Sequence, residues 1–139
     1  MVDSLSPKER SEIMARVRSK DTRPEMRIRK LAFALGYRYR LHDRKLPGCP
    51  DLVFGPRRKV IFVHGCFWHR HQGCKQCYTP KSNVDFWLAK FTGNIVRDQK
   101  NMEVLRKAGW RVVVVWECEL GAPEKLQKRL WKLLESSER

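Results

Sequence analysis

The sequence predicts an α/β domain in which a mixed central sheet is flanked by helices. Amphipathic helical patterns alternate with short apolar, β-branched runs, in the order helix, helix, three strands, helices, strand, helix. The chain has 139 residues, a length typical of one domain with its own core. We therefore expect a single domain over residues 1–139, without internal repeats or linkers.

Two capping boxes predict helices at the start of the chain. Ser6-Pro-Lys-Glu9 begins a short helix that extends to about residue 18. Thr22-Arg-Pro-Glu25 begins a second helix, whose apolar residues fall on one stripe. Gly36 is predicted to end this second helix.

Three strands are predicted next. Residues 37–42 alternate aromatic or apolar with polar side chains, which indicates a half-exposed strand. A Pro-Gly-Cys-Pro turn brings Asp51 to the start of a strand at 51–54. After a Gly-Pro turn, residues 59–63 form a buried strand, and the last two strands are expected to pair as a hairpin.

The second half of the chain contains an irregular segment and three further elements. Residues 64–82 lack a periodic pattern, and so long a loop in a small domain indicates a bound metal. A helical pattern covers residues 84–109, with a break expected near Gly93. The apolar run at 111–116 predicts a central strand, and Pro123 opens a last amphipathic helix.

The charge of the chain indicates a polyanionic partner. Lys and Arg number 30 against 15 Asp and Glu, a formal net charge of +15. Five Trp are interleaved with these basic residues, which favours nucleic acid over a merely solvated basic surface. No signal-like or membrane-spanning apolar run is present, so we expect a cytoplasmic protein with reduced cysteines and no membrane partner.

Cysteines and histidines in and after the irregular loop are candidate zinc ligands. The candidates are Cys66, His71, Cys74, Cys77 and Cys118. A structural zinc ion needs four tetrahedral nitrogen or sulfur ligands, so one of the five is in excess. The alternative is that these are buried free thiols and solvated histidines.

Asp51 is a candidate ligand for a catalytic Mg²⁺. A Pro-Asp pair at the start of one strand, followed by a second buried strand, is typical of many Mg²⁺ nucleases. The second strand ends Phe62-Val63-His64, without the usual acid and lysine, and offers at that place only the Val63 carbonyl and the His64 ring. The alternative is that Pro50-Asp51 reflects turn chemistry alone.

Two histidines and an acid are candidates for proton transfer. A histidine side chain is a suitable general base or leaving-group acid near pH 7, which makes His64 and His69 candidates, and a carboxylate such as Asp98 can fix the tautomer of a histidine ring. The alternative is that Asp98 pairs with a basic neighbour on a helix surface. Three aromatic residues, Phe67, Trp68 and Trp87, are expected either to pack under the loop or to wedge between base steps of DNA.

With these residues assembled, the chain resembles the very short patch repair (Vsr) endonucleases, relatives of the PD-(D/E)xK nucleases. The motifs that carry the resemblance are Met14 with Asp21-Thr22 and Glu25, LPGCPDLVF (46–54), FVHGCFWHRH (62–71), FWLAK (86–90), NIVRD (94–98) and GWRVVVVWECEL (109–120). The resemblance implies a restriction-endonuclease-like core and a hydrolase that nicks one strand of duplex DNA next to T:G mismatches. Such mismatches arise when 5-methylcytosine deaminates, so the implied process is mismatch repair of DNA damage.

The resemblance also implies roles for individual residues. Asp51 and the Val63 backbone carbonyl would bind catalytic Mg²⁺, and Glu25 would act through water bound to that ion. His64 would lie at the scissile phosphate, and His69, held by Asp98, would accept the proton of the attacking water. The implied DNA-binding residues are Met14, Phe67, Trp68, Trp87, Lys90 and Asn94. The implied structural zinc ligands are Cys66, His71, Cys74 and Cys118, with Cys77 as the alternative.

Further expectations concern partners and rival functions. Residues 1–20 are expected to form a DNA-binding helix or arm, and 64–82 the zinc-binding loop. A monomer suffices because a nick needs one active site, and general mismatch-repair proteins are further candidate partners in the nucleoid. Cys49 stands where arginine is expected, which affects a DNA-backbone contact rather than the metal site. The rival functions are a nuclease of the same fold with different DNA specificity and a non-catalytic zinc DNA-binding module.

Overall fold

The computed structural model describes residues 22–136 of the chain. Its elements are α1 (Arg23–Ala34), β1 (Arg40–Leu41), β2 (Leu52–Phe54), β3 (Lys59–His64), α2 (Val84–Lys107), β4 (Arg111–Trp116) and α3 (Pro123–Glu135). Short 3₁₀ turns cover Gly55–Arg57 and Glu117–Gly121. The predicted first helix, with its capping box and Met14, lies outside the described residues.

The four strands form one mixed sheet in the order β1-β2-β3-β4. β1 and β3 each pair antiparallel with β2, so the predicted hairpin of β2 and β3 is confirmed. β4 runs parallel to β3, from the pair Lys59–Arg111 to the pair His64–Trp116. Because β3 and β4 are parallel and paired in register, their carboxyl ends lie side by side, and α2 belongs to the crossover that connects them.

Helices cover both faces of the sheet. One face packs against α1 and α3 through a core of Ile28, Ala32, Tyr37, Leu52, Phe54, Ile61, Val113, Val115, Leu120, Leu126, Leu130 and Leu134. The other face packs against α2 through Val53, Val60, Phe62, Leu105 and Trp110. Adjacent strand residues alternate between the two cores, as the two-residue period of a strand requires.

The predicted ends of α1 are confirmed. The Thr22 hydroxyl oxygen accepts a hydrogen bond from the Glu25 backbone N–H at 3.3 Å, which satisfies one of the free donors at the helix start. Gly36 follows the helix with φ of +96°, a left-handed conformation that glycine adopts without steric cost. The capping chemistry therefore fixes where Glu25 sits relative to the sheet.

Three predictions about individual elements were wrong. The strand expected at 37–42 is only Arg40–Leu41; Tyr37 and Tyr39 instead pack edge-on against Phe54, so their alternation reflected burial rather than ladder pairing. α2 continues through Gly93 without a break. An exposed glycine lowers helix stability by only about 1 kcal/mol relative to alanine, which a long packed helix tolerates.

The third error concerns β4, which was expected in the centre of the sheet. Within residues 22–136, β4 pairs only with β3 and lies at the edge. Its continuous apolar run arises because both faces of the strand are covered, one by α2 and the other by α1 and α3. Within the described range, no helix is both long enough and apolar enough to cross a membrane.

Candidate active site

The candidate catalytic residues line one cleft at an edge of the sheet. Because β2 and β3 are antiparallel, Asp51, just before β2, lies beside the end of β3, where His64 is the last residue. α1 contributes Glu25 and α2 contributes Asp98 to the same open cleft of about 950 Å³. A cleft with converging titratable side chains from four elements is the usual setting of an enzyme active site.

Asp51 is held by the backbone of β3. Its Oδ2 accepts a hydrogen bond from the Val63 N–H at 2.7 Å. Burial raises the pKa of Asp51 to about 7; Glu25 adds to the rise, while the Val63 hydrogen bond and His42 oppose it. In a regular strand the N–H and C=O of one residue point to the same edge, which directs the Val63 carbonyl toward Asp51 as well. Carboxylate and carbonyl oxygens are the ligands of hard divalent cations, so this donor set fits Mg²⁺.

Glu25 and His42 complete a second group around Asp51. Glu25 is 1% exposed, and its carboxylate pairs with the Arg29 guanidinium. His42 Nε2 lies 2.8 Å from Glu25 Oε2 and 3.8 Å from Asp51 Oδ1. The His42 ring therefore lies between two carboxylates that the sequence analysis had already connected with the metal.

His42 was missed by the sequence analysis, although the pattern of strands contained the information. Leu41 pairs with Leu52 in the antiparallel β1–β2 ladder, so the next pair in register is His42 with Asp51. The His42 backbone N–H donates to the Asp51 carbonyl oxygen at 3.3 Å. A prediction that paired residues 37–42 with 51–54 would have placed this histidine beside the acid.

His64, His69 and Asp98 come together as expected. The two imidazole rings stack with centroids 3.9 Å apart, and His69 Nδ1 lies 2.6 Å from Asp98 Oδ2. Burial, followed by the neighbouring His69, lowers the pKa of His64 to about 4. Asp98 therefore pairs with His69 across the cleft rather than with a basic neighbour on its own helix.

The loop at residues 64–82 and Cys118, which follows β4, bring four candidate metal ligands to one point. The ligand atoms of Cys66, His71, Cys74 and Cys118 all lie within 4.8 Å of one another. Cys77 is not part of this group. Burial raises the pKa of the Cys66 thiol to about 12, so a cation is needed to hold this sulfur as a thiolate. Three sulfurs and one imidazole nitrogen are a donor set that zinc prefers, and the residues fit a structural Zn²⁺.

Aromatic side chains of the loop at residues 64–82 and of α2 form a cluster. We call Phe67, Trp68, Tyr78, Trp87 and Phe91 the aromatic cluster; the Phe67 ring centroid lies 4.9 to 5.6 Å from those of the other four. Trp87 is buried, whereas Phe67 and Trp68 are half-buried. Of the two roles expected for these rings, packing under the loop is the one seen in this structure. To insert between base steps of DNA, the two half-buried rings would have to leave this packing.

The two α2 residues expected to contact the mismatch lie close to this cluster. Asn94 is 7% exposed, and its Nδ2 donates to the Trp68 carbonyl oxygen at 2.9 Å. Lys90, one turn earlier on the helix, is half-buried. In this structure the Asn94 amide therefore positions the backbone of the aromatic cluster.

Arg70 is a further organising residue that the sequence analysis missed. Its guanidinium carbon lies 3.8 Å from the centroid of the Phe91 ring, and Nη1 donates to the carbonyl oxygens of Phe67 and Tyr78. Among 30 basic residues nothing in the sequence distinguished it, because its role depends on the fold of the loop.

Comparisons with known proteins give a consistent family. The model of the family described as DNA mismatch endonuclease Vsr matches residues 2–76. A type II nicking enzyme, V.XorIIP of Xanthomonas oryzae pv. oryzae, is 51% identical over 137 residues, which cover 99% of this chain and 100% of that protein. The DNA mismatch endonuclease Vsr of Escherichia coli is 41% identical over 126 residues, 91% of this chain and 80% of that protein.

A solved structure supports the predicted core. The catalytic domain of the homing endonuclease I-Bth0305I superposes with a TM-score of 0.56 at 19% identity, covering 84% of this chain and 100% of that domain. The predicted α/β fold with an endonuclease-like core is confirmed by this shared fold. With a family model that matches more than half of its residues and relatives aligned over nearly its whole length, this chain belongs to the Vsr family of DNA mismatch endonucleases.

Proposed function

We propose that this protein is a metal-dependent endonuclease that nicks one strand of duplex DNA next to T:G mismatches left by deamination of 5-methylcytosine. The observation that best supports hydrolysis is the convergence of Asp51, Glu25, His64, His69 and Asp98 in one open cleft. Mismatch specificity is inferred from the similarity to the relatives, which are named as a mismatch endonuclease and as nicking enzymes.

Asp51 and the Val63 carbonyl would hold the catalytic Mg²⁺, with Glu25 facing the same space. When bound, the ion supplies positive charge that stabilises the phosphate in the transition state and lowers the pKa of water. The raised pKa of Asp51, about 7, supports this assignment, because burial beside a second acid disfavours the free carboxylate and favours its binding to a cation.

His69 and Asp98 would handle the proton of the attacking water. With Nδ1–H donated to Asp98, the Nε2 atom of His69 carries the free lone pair and can accept a proton. The negative charge of Asp98 then stabilises the imidazolium that forms. His64, stacked on His69, would donate a hydrogen bond to the scissile phosphate.

The aromatic cluster and the basic charge would bind DNA. A net charge of +15 favours association with the phosphate backbone, and Phe67, Trp68 and Trp87 would insert beside the mismatch. A mismatched step is easier to unstack than a paired one, which favours the T:G site. Lys90 and Asn94 would contact the wobble pair once Asn94 leaves the Trp68 carbonyl, and Met14 would enter from the minor groove.

Zn²⁺ would stabilise the loop at residues 64–82, which carries Phe67 and Trp68. The ligands would be Cys66, His71, Cys74 and Cys118. The ligand atoms lie close enough together to share one ion. The protein would act as a monomeric single domain in the cytoplasm, at the nucleoid, with residues 1–20 as a DNA-binding arm. General mismatch-repair proteins are candidate partners because nicking is only the first step of a repair.

The test is a nicking assay on two end-labelled duplexes that differ only in a T:G or T:A pair, with Mg²⁺ or with chelator. The proposal expects one cut, beside the T and on that strand, only with Mg²⁺. Asp51→Ala should abolish cutting while leaving mismatch binding largely intact. Equal cutting of both duplexes would indicate a nuclease of different DNA specificity instead. Binding of DNA without any cutting would indicate a non-catalytic zinc DNA-binding module.

A further inference from the structure

His42 occupies a position in the cleft that the proposed metal site does not use. His42 directly follows β1, Glu25 lies in the first turn of α1, and Asp51 directly precedes β2. One ligand atom of each of these three residues lies within 4.8 Å of the other two. Three separate elements thus direct two oxygens and one imidazole nitrogen to a common point.

The backbone at His42 is constrained in a way that fits a functional position. Its φ is +45°, in the left-handed region that residues other than glycine seldom adopt. The hydrogen bond from its N–H to the Asp51 carbonyl oxygen keeps this conformation next to the acid. Unfavourable backbone conformations are often retained where they place a functional side chain.

The atomic separations suit coordination of one cation. Adjacent ligands of an octahedral ion with bonds of about 2.1 Å lie roughly 3 Å apart. His42 Nε2 is 2.8 Å from Glu25 Oε2 and 3.8 Å from Asp51 Oδ1, values that bracket that distance. The Glu25 carboxylate also pairs with Arg29, which compensates part of the acidic charge when no cation is bound.

We propose that Nε2 of His42 is a direct ligand of the catalytic cation, beside Asp51, and that this nitrogen raises the affinity of the site for Mn²⁺ more than its affinity for Mg²⁺, so that either ion can fill the site. Imidazole nitrogen is a better ligand for first-row transition metals than for Mg²⁺, whereas carboxylate and carbonyl oxygens suit both Mg²⁺ and Mn²⁺. The inference rests on the proposed catalytic cation at Asp51, and adds a nitrogen to a site so far composed of oxygens.

The experiment uses the full chain, with its zinc site filled, titrated with Mn²⁺ and followed by electron paramagnetic resonance without DNA or turnover. Pulsed measurements then detect the coupling of a directly bound imidazole ¹⁴N to Mn²⁺. Three variants are compared with wild type: His42→Gln, Asp51→Asn and, as a control that also lines the cleft, Arg44→Gln. Mg²⁺ affinity is obtained by competition with Mn²⁺.

Wild type and Arg44→Gln should show coupling to one imidazole nitrogen, and His42→Gln should lose it. The Kd for Mn²⁺ should rise by about 10-fold or more in His42→Gln, the range found when groups that support a metal are removed, while the Kd for Mg²⁺ changes much less. Asp51→Asn should weaken the binding of both ions.

Two results would overturn the inference, and they differ in what they imply for the proposed function. In the first, Mn²⁺ binding depends on Asp51, but the nitrogen coupling is absent in wild type or persists in His42→Gln. The cation site at Asp51 would then stand, and His42 would not be one of its ligands. Mn²⁺ binding that is unaffected by Asp51→Asn would reject the cation site itself, and the His42 ligand with it.

Discussion

The pairing of His69 with Asp98 leads to a quantitative prediction for Asp98→Asn. This substitution keeps the shape of the side chain and removes its charge. When His69 accepts a proton, its positive charge lies about 4 Å from the carboxylate, an interaction worth about 4 kcal/mol at an effective dielectric constant of 20. Because each 1.4 kcal/mol of barrier corresponds to about a tenfold change in rate, this interaction corresponds to roughly a thousandfold.

The expected loss is somewhat smaller because water reaches the pair. The His69 and Asp98 side chains are 30% and 19% exposed, so screening reduces the interaction. We expect the single-turnover nicking rate of Asp98→Asn on a T:G duplex to fall by roughly a hundred- to a thousandfold, within the range of general base catalysis. DNA affinity, measured by fluorescence anisotropy, should change little.

Glu103→Gln is the matched control for this measurement. Glu103 lies on the same helix as Asp98, is exposed, and pairs with Lys107 on the helix surface. The control removes the same charge without contacting the cleft and should nick at the wild-type rate. A rate for Asp98→Asn within about threefold of wild type, with DNA binding preserved, would refute proton transfer through His69, since general base catalysis contributes at least about a hundredfold.

Three further predictions concern zinc, stability and specificity. Cys118→Ala should lose bound Zn²⁺ and destabilise the fold, since structural zinc contributes folding energy, whereas Cys77→Ala should keep one equivalent by metal analysis; zinc retained in Cys118→Ala would assign Cys77 instead. Lys59→Met should lower the free energy of unfolding in urea by about 2 kcal/mol, because the buried ammonium donates to the last carbonyls of α3; an unchanged midpoint would contradict this. Trp68→Ala should reduce discrimination between T:G and T:A duplexes by about fivefold or more, because stacking of one base contributes about 1–3 kcal/mol; unchanged discrimination would exclude Trp68 from the residues that insert beside the mismatch.

Local patterns predicted the elements better than they predicted the neighbours of each strand. The Thr22 cap, Gly36 and the hairpin of β2 and β3 follow from chemistry within a few residues, and all are present. The place of β4 at the edge depends on how distant segments pair, which its apolar run does not encode. The continuity of α2 through Gly93 likewise depends on packing along the whole helix.

The candidate site shows the same division. Residues within the compact HGCFWHRH segment were identified because several chemically active side chains crowd together there. His42 is isolated in sequence, and only the register of β1 against β2 brings it to Asp51. Asn94 was assigned to the mismatch by resemblance, but its hydrogen bond to the Trp68 carbonyl is visible only in three dimensions.

The parallel pairing of β3 and β4 explains why catalysis, zinc and DNA contact are expected to depend on one another. The two strands end together at His64 and Trp116, and each strand is followed two residues later by a zinc-ligand candidate, Cys66 and Cys118. An ion held by both cysteines, as proposed, would tie the loop to the carboxyl edge of the sheet. Because Phe67 and Trp68 follow Cys66 directly, that attachment would also fix these two rings relative to His64. If the two rings insert into DNA as proposed, the sheet would then set their distance from the scissile phosphate.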